Sequence, residues 1–394
     1  MPKIVHIITR FVNGGADENT LLTCNAQAEA HDVTLIHGAE NSGRMIAQLD
    51  ARVRRICVPS LVREIAPAKD LAALARLSVH LRRLRPDIVH THTSKAGVIG
   101  RMAALAAPGA AIVHGVHILS FNAEGGVRRR LYLGLERLVA PVTHAFINVS
   151  EGMREECLQH GLGEAARHWV IASGMEVDRF RGASPADFPS ARSGGERPIR
   201  ICYVAALERR KRHRELLKAV VPLLRMYPHV ELILAGEGPE RAGLEAAARE
   251  AGIESQVQFL GFRDDIESVL AASDICVFTS EREGLPRALI QYALAGKPIV
   301  ATRLPGIERV LRDGSNGYVV SADAFDEFAT RLQALILDRD LRARMAAQSQ
   351  SIDFSDWDGQ RMTGQLEAVY RKLLSGRTRG GRGSRDAQRT GDVA

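Results

Sequence analysis

At 394 residues, with 45% hydrophobic and 25% charged side chains, the chain has the balance of a soluble globular protein and is too long for one ordinary core, so two domains are expected. A net charge of +7 suits nucleic acid, an anionic membrane or a phosphorylated substrate, but 5% aromatic residues and no base-reading motif set nucleic acid aside, leaving diphosphates and a lipid surface. Five scattered cysteines without a Cys-x-x-Cys pair exclude a disulfide or zinc framework and read as buried free thiols in a reducing compartment.

The first apolar run, Lys3–Thr9, is a short strand, too brief for the core of a signal peptide. Strand-like runs follow at Asp32–His37, Val53–Val58, Ile88–Thr91, Ile112–His117, Ala145–Val149 and Trp169–Ala172. Helical patterns lie between them, at about Asp17–Ala30, Asp70–Arg85, Lys95–Ala107, Arg128–Leu138 and Glu151–His160. Met102–Val113, the longest uncharged apolar stretch, is broken by Pro108-Gly109 and too short to span a bilayer, so a cytoplasmic protein is expected. The alternation predicts a parallel, doubly wound sheet over residues 1–190, with the Ser-, Gly- and Pro-rich stretch Ala183–Pro198 as linker. Strands at Ile199–Ala205, Val230–Ala235, Val257–Leu260, Ile275–Phe278 and Pro298–Ala301 predict a second such domain over 197–352. A last helix is predicted within 353–374, and the Gly-, Arg- and Ser-rich tail 375–394 is expected to be disordered.

Several loops at strand ends carry candidate chemistry. After the first strand, Gly14-Gly15 opens a helix and permits close backbone approach. After the fourth, His90-Thr91-His92-Thr93-Ser94-Lys95-Ala96-Gly97 places Ser94 to cap a helix, with Lys95 opposing the helix dipole unless an anion is near. After the fifth, His114 and His117 have no carboxylate partner or helical His-Glu-x-x-His, so no metal site is predicted. Arg128-Arg129-Arg130 begins an apolar-rich helix, which either faces the core with a solvated basic end or lies on an anionic membrane. Arg209, Arg210 and Lys211 crowd another helix start, an arrangement unfavourable alone and sensible beside a diphosphate, with a solvated basic loop as the bland alternative. The run Ile275–Phe278 leads into Glu283-Gly284-Leu285-Pro286 and a helix that carries Gln291 and closes on Gly296. Glu283 is therefore placed at the carboxyl end of a parallel strand beside a helix N-terminus, where open α/β sheets bind ligands and free amides favour phosphate. A surface Glu and a helix-surface Gln are the bland alternative.

The Glu283 stretch resembles the signature of the retaining family-4 glycosyltransferases of GT-B fold: Glu-Gly-Leu-Pro, then a second acidic position eight residues after the first. The likeness runs from about Ile4 to Leu374 and includes the Gly14-Gly15-Ala16 loop, the His90–Gly97 segment typical of enzymes that build bacterial surface glycans, and His117. It implies an α/β GT-B fold: two Rossmann-like doubly wound domains facing a central cleft, with the last helix crossing back to the first domain. It also implies transfer with retention from a nucleotide-diphosphate sugar, foremost a UDP-sugar, with an N-acetylhexosamine among the candidate sugars. The acceptor would be a hydroxyl of a lipid-linked or saccharide molecule in surface polysaccharide (lipopolysaccharide-type) synthesis, at the inner face of the cell membrane, with no metal or other cofactor.

In that picture Glu283 and His117 contact the donor sugar and Gln291 the ribose. Gly14, Gly15 and the amides near Gly284, Leu285 and Pro286 meet the diphosphate, which Lys211, Arg209 and Arg210 grip. Phe262 and Arg263 frame the base, while Thr93, Ser94 and Lys95 lie on the acceptor side. The chain departs from the pattern at Gln291 (for Glu), at Ala205 and Ala206 (for Gly and Arg) and at Ile118 (for Gly). These departures keep open a non-catalytic nucleotide-sugar-binding partner subunit. A natural-product glycosyltransferase and a sugar-nucleotide epimerase would share the fold, whereas a dehydrogenase would need the dinucleotide glycine fingerprint.

Overall fold

The computed structural model describes residues 1–386 apart from 13, 120, 122–124, 188–196, 282, 284, 285 and 305, with side chains described to residue 376. It contains two compact units, Met1–Met175 with Ser355–Ala394, and Glu176–Phe354.

The first unit is built on β1(Lys3–Ile8), β2(Asp32–His37), β3(Arg54–Cys57), β4(Ile88–His92), β5(Ala111–Val116), β6(Ala145–Asn148) and β7(His168–Val170). They form one parallel sheet in the order β3-β2-β1-β4-β5-β6-β7. Parallel sheets need both faces covered, and the apolar residues of β1 and β4 divide accordingly. On one side Val5, Ile7 and Val89 pack with Leu77 and Leu81 of α3(Pro67–Leu84) and Ile99 of α4(Ser94–Ala104). On the other, Ile4, Ile88 and Val113 pack against Met362, Leu366, Val369 and Tyr370 of the C-terminal helix, each side chain contributing roughly 1.5–3 kcal/mol of burial. That helix is thus part of the first unit's own core. The remaining helices of this unit are α1(Gly15–Gln27), α2(Gly43–Ala47), α5(Gly126–Val139) and α6(Glu151–Gln159).

The second unit repeats the plan with β8(Ile199–Val204), β9(Val230–Ala235), β10(Val257–Gly261), β11(Ile275–Phe278), β12(Ile299–Thr302) and β13(Gly317–Val320), parallel in the order β10-β9-β8-β11-β12-β13. Its helices are α7(Val177–Phe180), α8(His213–Met226), α9(Arg241–Glu250), α10(Ile266–Ala271), α11(Arg287–Leu294), α12(Phe325–Leu337) and α13(Arg339–Gln350). The C-terminal helix is α14(Gly359–Asp386).

In each sheet the strand order reverses once, between β1 and β4 and between β8 and β11. Loops leaving adjacent strands at such a switch point diverge, opening the crevice in which α/β sheets hold ligands. The register brings the loop starts side by side, pairing Ile8 with His92 and Cys276 with Cys202.

Four features differ from the sequence expectations. The division between units falls at Met175/Glu176, and the amide of Ala186 bonds to the carbonyl of Ser268 at 2.9 Å, so the start of the Ala183–Pro198 stretch belongs to the second unit. Composition registers the polarity of such a stretch and not which side its contacts take. The backbone of α14 continues past Leu374 to Asp386, where a disordered tail is expected, and residues 387–394 lie outside the described set. Cys57 is exposed while Cys24, Cys157, Cys202 and Cys276 are buried, because β3 is the sheet's edge strand. The short elements β13, α2, α7 and α10 have too few residues for a readable period.

Candidate functional site

In the second unit, the loop after β8 and the loop after β11 are stitched to each other. The Tyr203 hydroxyl and Thr279 Oγ1 both donate to the carbonyl of Lys211, each at 2.9 Å, and the amide of Glu281 donates to the carbonyl of Arg210 at 2.9 Å. These bonds hold a 3-10 turn, Arg209–Lys211, so that Lys211 Nζ is hydrogen-bonded to Glu283 Oε1. Arg210 Nη1 lies 3.5 Å from the same oxygen while its Nε donates to Glu208 at 2.9 Å. The Lys211 and Glu283 side chains are 12% and 14% exposed. Burial holds the Lys211 ammonium below the usual lysine range, an effect that the Glu283 charge opposes. An ion pair removed from water in this way gains little net energy, because desolvation offsets most of the attraction.

Around the pair, Arg212 takes a left-handed conformation (φ 58°) and turns away, bonding Asp323 at 2.7 Å and covering the Phe325 ring. Arg209 is exposed. The His213 ring stacks on Tyr203 with centroids 4.6 Å apart, and burial beside Lys211 lowers its pKa to about 4. Gln291 is half-buried on α11, which Gly296 closes in the left-handed conformation (φ 65°). Pro286 occupies the cap position of α11. Gly284 and Leu285 lie outside the described residues. Phe262 is 46% exposed, and the guanidinium of Arg263 forks onto Asp265 at 2.7 and 2.5 Å.

In the first unit, Thr9 Oγ1 at the end of β1 accepts the amide of Ala96 at 3.0 Å and so caps α4 from the neighbouring loop. Ser94 is accordingly the first helical residue and not the cap that the sequence suggests. Thr93 precedes it at φ 64°, ψ 163°, a region that a β-branched residue rarely enters and that marks stored strain beside the switch point. Lys95 is engaged with Asp70 of α3 at 2.6 Å and with the carbonyl of Glu64, so its charge is matched inside the unit. Gly14 is the cap residue of α1 and Gly15 its first residue. Behind them, burial raises the Asp17 carboxyl to about 7.

His117 follows β5 and opens a line of buried imidazoles. Its Nε2 lies 3.1 Å from His92 Nδ1, and His92 Nε2 lies 2.9 Å from His6 Nδ1. His6 Nε2 meets Gln27 Oε1 at 2.8 Å, while His90 Nδ1 meets the Tyr370 hydroxyl at 2.6 Å. Burial lowers His6 to about 4 and His90, His92 and His114 well below the usual histidine range. Nitrogens of His6, His90 and His92 lie within 4.8 Å of one another, the spacing of a candidate metal group among the described residues. The sequence points only to His114 and His117 as a pair to weigh for ligation. The signal that finds the other three is period two: His90 and His92 share one face of β4, and the parallel register sets His6 beside His90.

Two family models match the chain, a "Glycosyl transferase 4-like domain" over residues 14–174 and "Glycosyl transferases group 1" over 188–351. The UDP-Gal:alpha-D-GlcNAc-diphosphoundecaprenol alpha-1,3-galactosyltransferase of Escherichia coli is 28% identical over 79% of this chain and 81% of its own length. The lipopolysaccharide core biosynthesis glycosyltransferase LpsE of Rhizobium meliloti is 34% identical over 44% of this chain and 46% of its own. The crystal structure of Anabaena HepE with UDP and glucose superposes with a TM-score of 0.78 at 22% identity, covering 94% of this chain and all of that one. WaaG, a glycosyltransferase involved in lipopolysaccharide biosynthesis, gives 0.72 at 18% identity over 91% of this chain and 98% of its own. Two parallel sheets with matching switch points, and family models that between them cover most of both units, lead to one conclusion: the chain belongs to the family-4 glycosyltransferases of GT-B fold.

Proposed function

We propose that this glycosyltransferase moves a hexosyl or N-acetylhexosaminyl unit, with retention, from a UDP-sugar to a hydroxyl of a lipid-linked or saccharide acceptor in surface-glycan synthesis. The observation that carries the reading is the Lys211–Glu283 pair at the β8/β11 switch point. A nucleotide sugar offers each partner what the other now supplies: the diphosphate takes the Lys211 ammonium, and the sugar hydroxyls donate to the Glu283 carboxylate. Arg210, already within 3.5 Å of Glu283, is placed to supply the guanidinium that Ala206 lacks. Arg209 adds positive charge, Gln291 takes the ribose, and Phe262 with Arg263 borders the base. Gly14, Gly15 and the segment Gly284-Leu285-Pro286 bring amides to the phosphates.

The reaction in this reading breaks the bond from the anomeric carbon to the β-phosphate oxygen. The acceptor hydroxyl attacks from the same face, and its proton passes to the leaving diphosphate, whose growing charge Lys211 and Arg210 stabilise. His117 contacts the donor sugar, and Thr93 and Ser94 lie toward the acceptor. The chemistry as drawn asks for no metal. The relatives named above, one acting on a diphosphoundecaprenol-linked sugar and one in lipopolysaccharide core synthesis, support the acceptor class.

The test is a panel of UDP-, GDP- and ADP-sugars scored for thermal stabilisation and for transfer to lipid-linked and free saccharides, with the product's anomeric configuration read by NMR. Stabilisation by UDP-sugars and an axial product linkage from an axial donor are expected. Tight donor binding without transfer on any acceptor would favour the non-catalytic reading. The variant Ala206→Arg combined with Gln291→Glu discriminates further: faster turnover identifies a weakened enzyme.

A further inference from the structure

The imidazole line behind His117 does not end at His6. Gln27 Nε2 donates to Glu367 Oε1 at 3.0 Å, and the other oxygen of Glu367 meets His31 Nε2 at 2.9 Å. Five groups from β1, α1, β4, α14 and the end of β5 are therefore joined, from a carboxylate at the rim to the ring beyond the switch point, by bonds of 3.0, 2.8, 2.9 and 3.1 Å. We infer that this chain, Glu367–Gln27–His6–His92–His117, is directional and fixes a proton on Nε2 of His117, so that in the neutral ring Nδ1 is the acceptor nitrogen, the one that faces sugar recognition in the proposed function.

The direction follows from what each group is able to do. A carboxylate only accepts, so Glu367 takes the amide N–H of Gln27 and turns Gln27 Oε1 toward His6. An amide oxygen also only accepts, so His6 carries its proton on Nε2. His6 and His92 are fully enclosed and burial keeps them neutral, so each has one N–H. His6 Nδ1 is then an acceptor and takes the Nε2 proton of His92. His92 Nδ1 is an acceptor in turn and takes the Nε2 proton of His117. Outer hydrogen bonds set a working histidine's tautomer in this way elsewhere.

The packing reserves space for the arrangement. A Cβ on Gly115 would stand 3.0 Å from His117 Nε2, 3.1 Å from His92 Nδ1 and 3.3 Å from His90 Nε2, so all three rings must give slightly to admit a side chain there. His6, Gln27, His92 and Glu367 are thus positioning residues that act through His117. A metal on His6, His90 and His92 is the competing use. It would need nitrogens about 2.0–2.1 Å from the ion, which requires the His6–His92 bond to open.

The inference rests on the reading of His117 as a donor-sugar contact, but its test does not. Two-dimensional NMR of the full-length protein labelled with 15N-histidine reports which nitrogen of each ring is protonated, without any substrate. The expected spectrum has His6, His92 and His117 protonated at Nε2. In Glu367→Lys the carboxylate becomes a donor, Gln27 reverses, and all three rings move to the Nδ1–H form. Donor kcat/KM then falls roughly tenfold, the effect of one acceptor turned into a clashing donor. The wild-type spectrum decides even if Glu367→Lys does not fold. Nδ1–H at His92 or His117 in the native protein, or a stoichiometric metal found by mass spectrometry on the purified protein, would overturn the inference. Tautomers as stated with unchanged kinetics in Glu367→Lys would leave the directional chain standing and count against His117 as the sugar contact.

Discussion

Lys211 and Glu283 are 72 residues apart in sequence, yet the turn that joins them is set by three short-range facts: where β8 ends, where β11 ends, and which side chains grip the carbonyl of Lys211. Both residues are legible in the sequence because their motifs are local and their strand-end placement follows from periodicity. Thr93's strain, the engagement of Lys95 by Asp70 and the Gln27–Glu367 bond are not, since each depends on a partner that no local pattern announces; the last spans 340 positions. Gly115 is the sharpest residue-scale probe. Gly115→Ala must displace three rings and is expected to cost about 1–3 kcal/mol while lowering transfer, measured by thermal unfolding and donor turnover. A variant with native stability and native activity would show that the ring spacing is not used.

Among the elements, β2 matches its sequence prediction to the residue, whereas α4 begins at Ser94 because its cap comes from Thr9 on another strand. Helix α5 bears on an alternative that the sequence leaves open. Its buried side chains Leu133, Glu136 and Val139 form one face, and Glu136 pairs there with the fully buried Arg101 of α4. Val127, Leu131 and Leu138 form the opposite stripe, 80%, 46% and 65% exposed, with Arg128 on one flank and Arg130 and Arg137 on the other. Two apolar faces on one helix, the outer one bordered by arginine, fit an anionic lipid surface. The protein is expected to co-sediment with anionic vesicles at low salt and less with neutral ones. Arg128→Glu with Arg130→Glu should weaken that binding roughly tenfold or more, and equal sedimentation of the double variant would remove the membrane role.

At the scale of the molecule, the parallel architecture and the two switch points are readable from alternating strands and helices, but the division at Met175/Glu176 is not, because it depends on which contacts outnumber the others. The buried neutral histidines have a consequence for the whole fold. His6 and His213 titrate near 4 when folded, against about 6.5 unfolded. As pH falls below 6.5 the unfolded chain takes up protons that the native state refuses, so their stabilisation is complete above 6.5 and is withdrawn toward pH 4. Each withdraws up to about 3 kcal/mol, with His90, His92 and His114 acting in the same direction. Asp17, raised to about 7, works the other way, losing stability as pH rises from about 4 to 7, but it is outnumbered by the histidines of the first unit that burial lowers. Denaturant midpoints should therefore fall between pH 6.5 and 4.5. A flat profile would mean that these rings are solvated.

The exchange of the Lys211–Glu283 pair for a nucleotide sugar is the centre of the account, and calorimetric titration tests it directly. UDP and a UDP-sugar would be titrated into the wild type, Lys211→Met and Glu283→Gln. Lys211→Met should weaken both ligands about 10- to 100-fold, the loss of a charge-assisted bond. Glu283→Gln should weaken only the UDP-sugar and leave UDP unchanged or tighter. Equal UDP affinity in wild type and Lys211→Met, or loss of UDP binding in Glu283→Gln, would contradict the exchange.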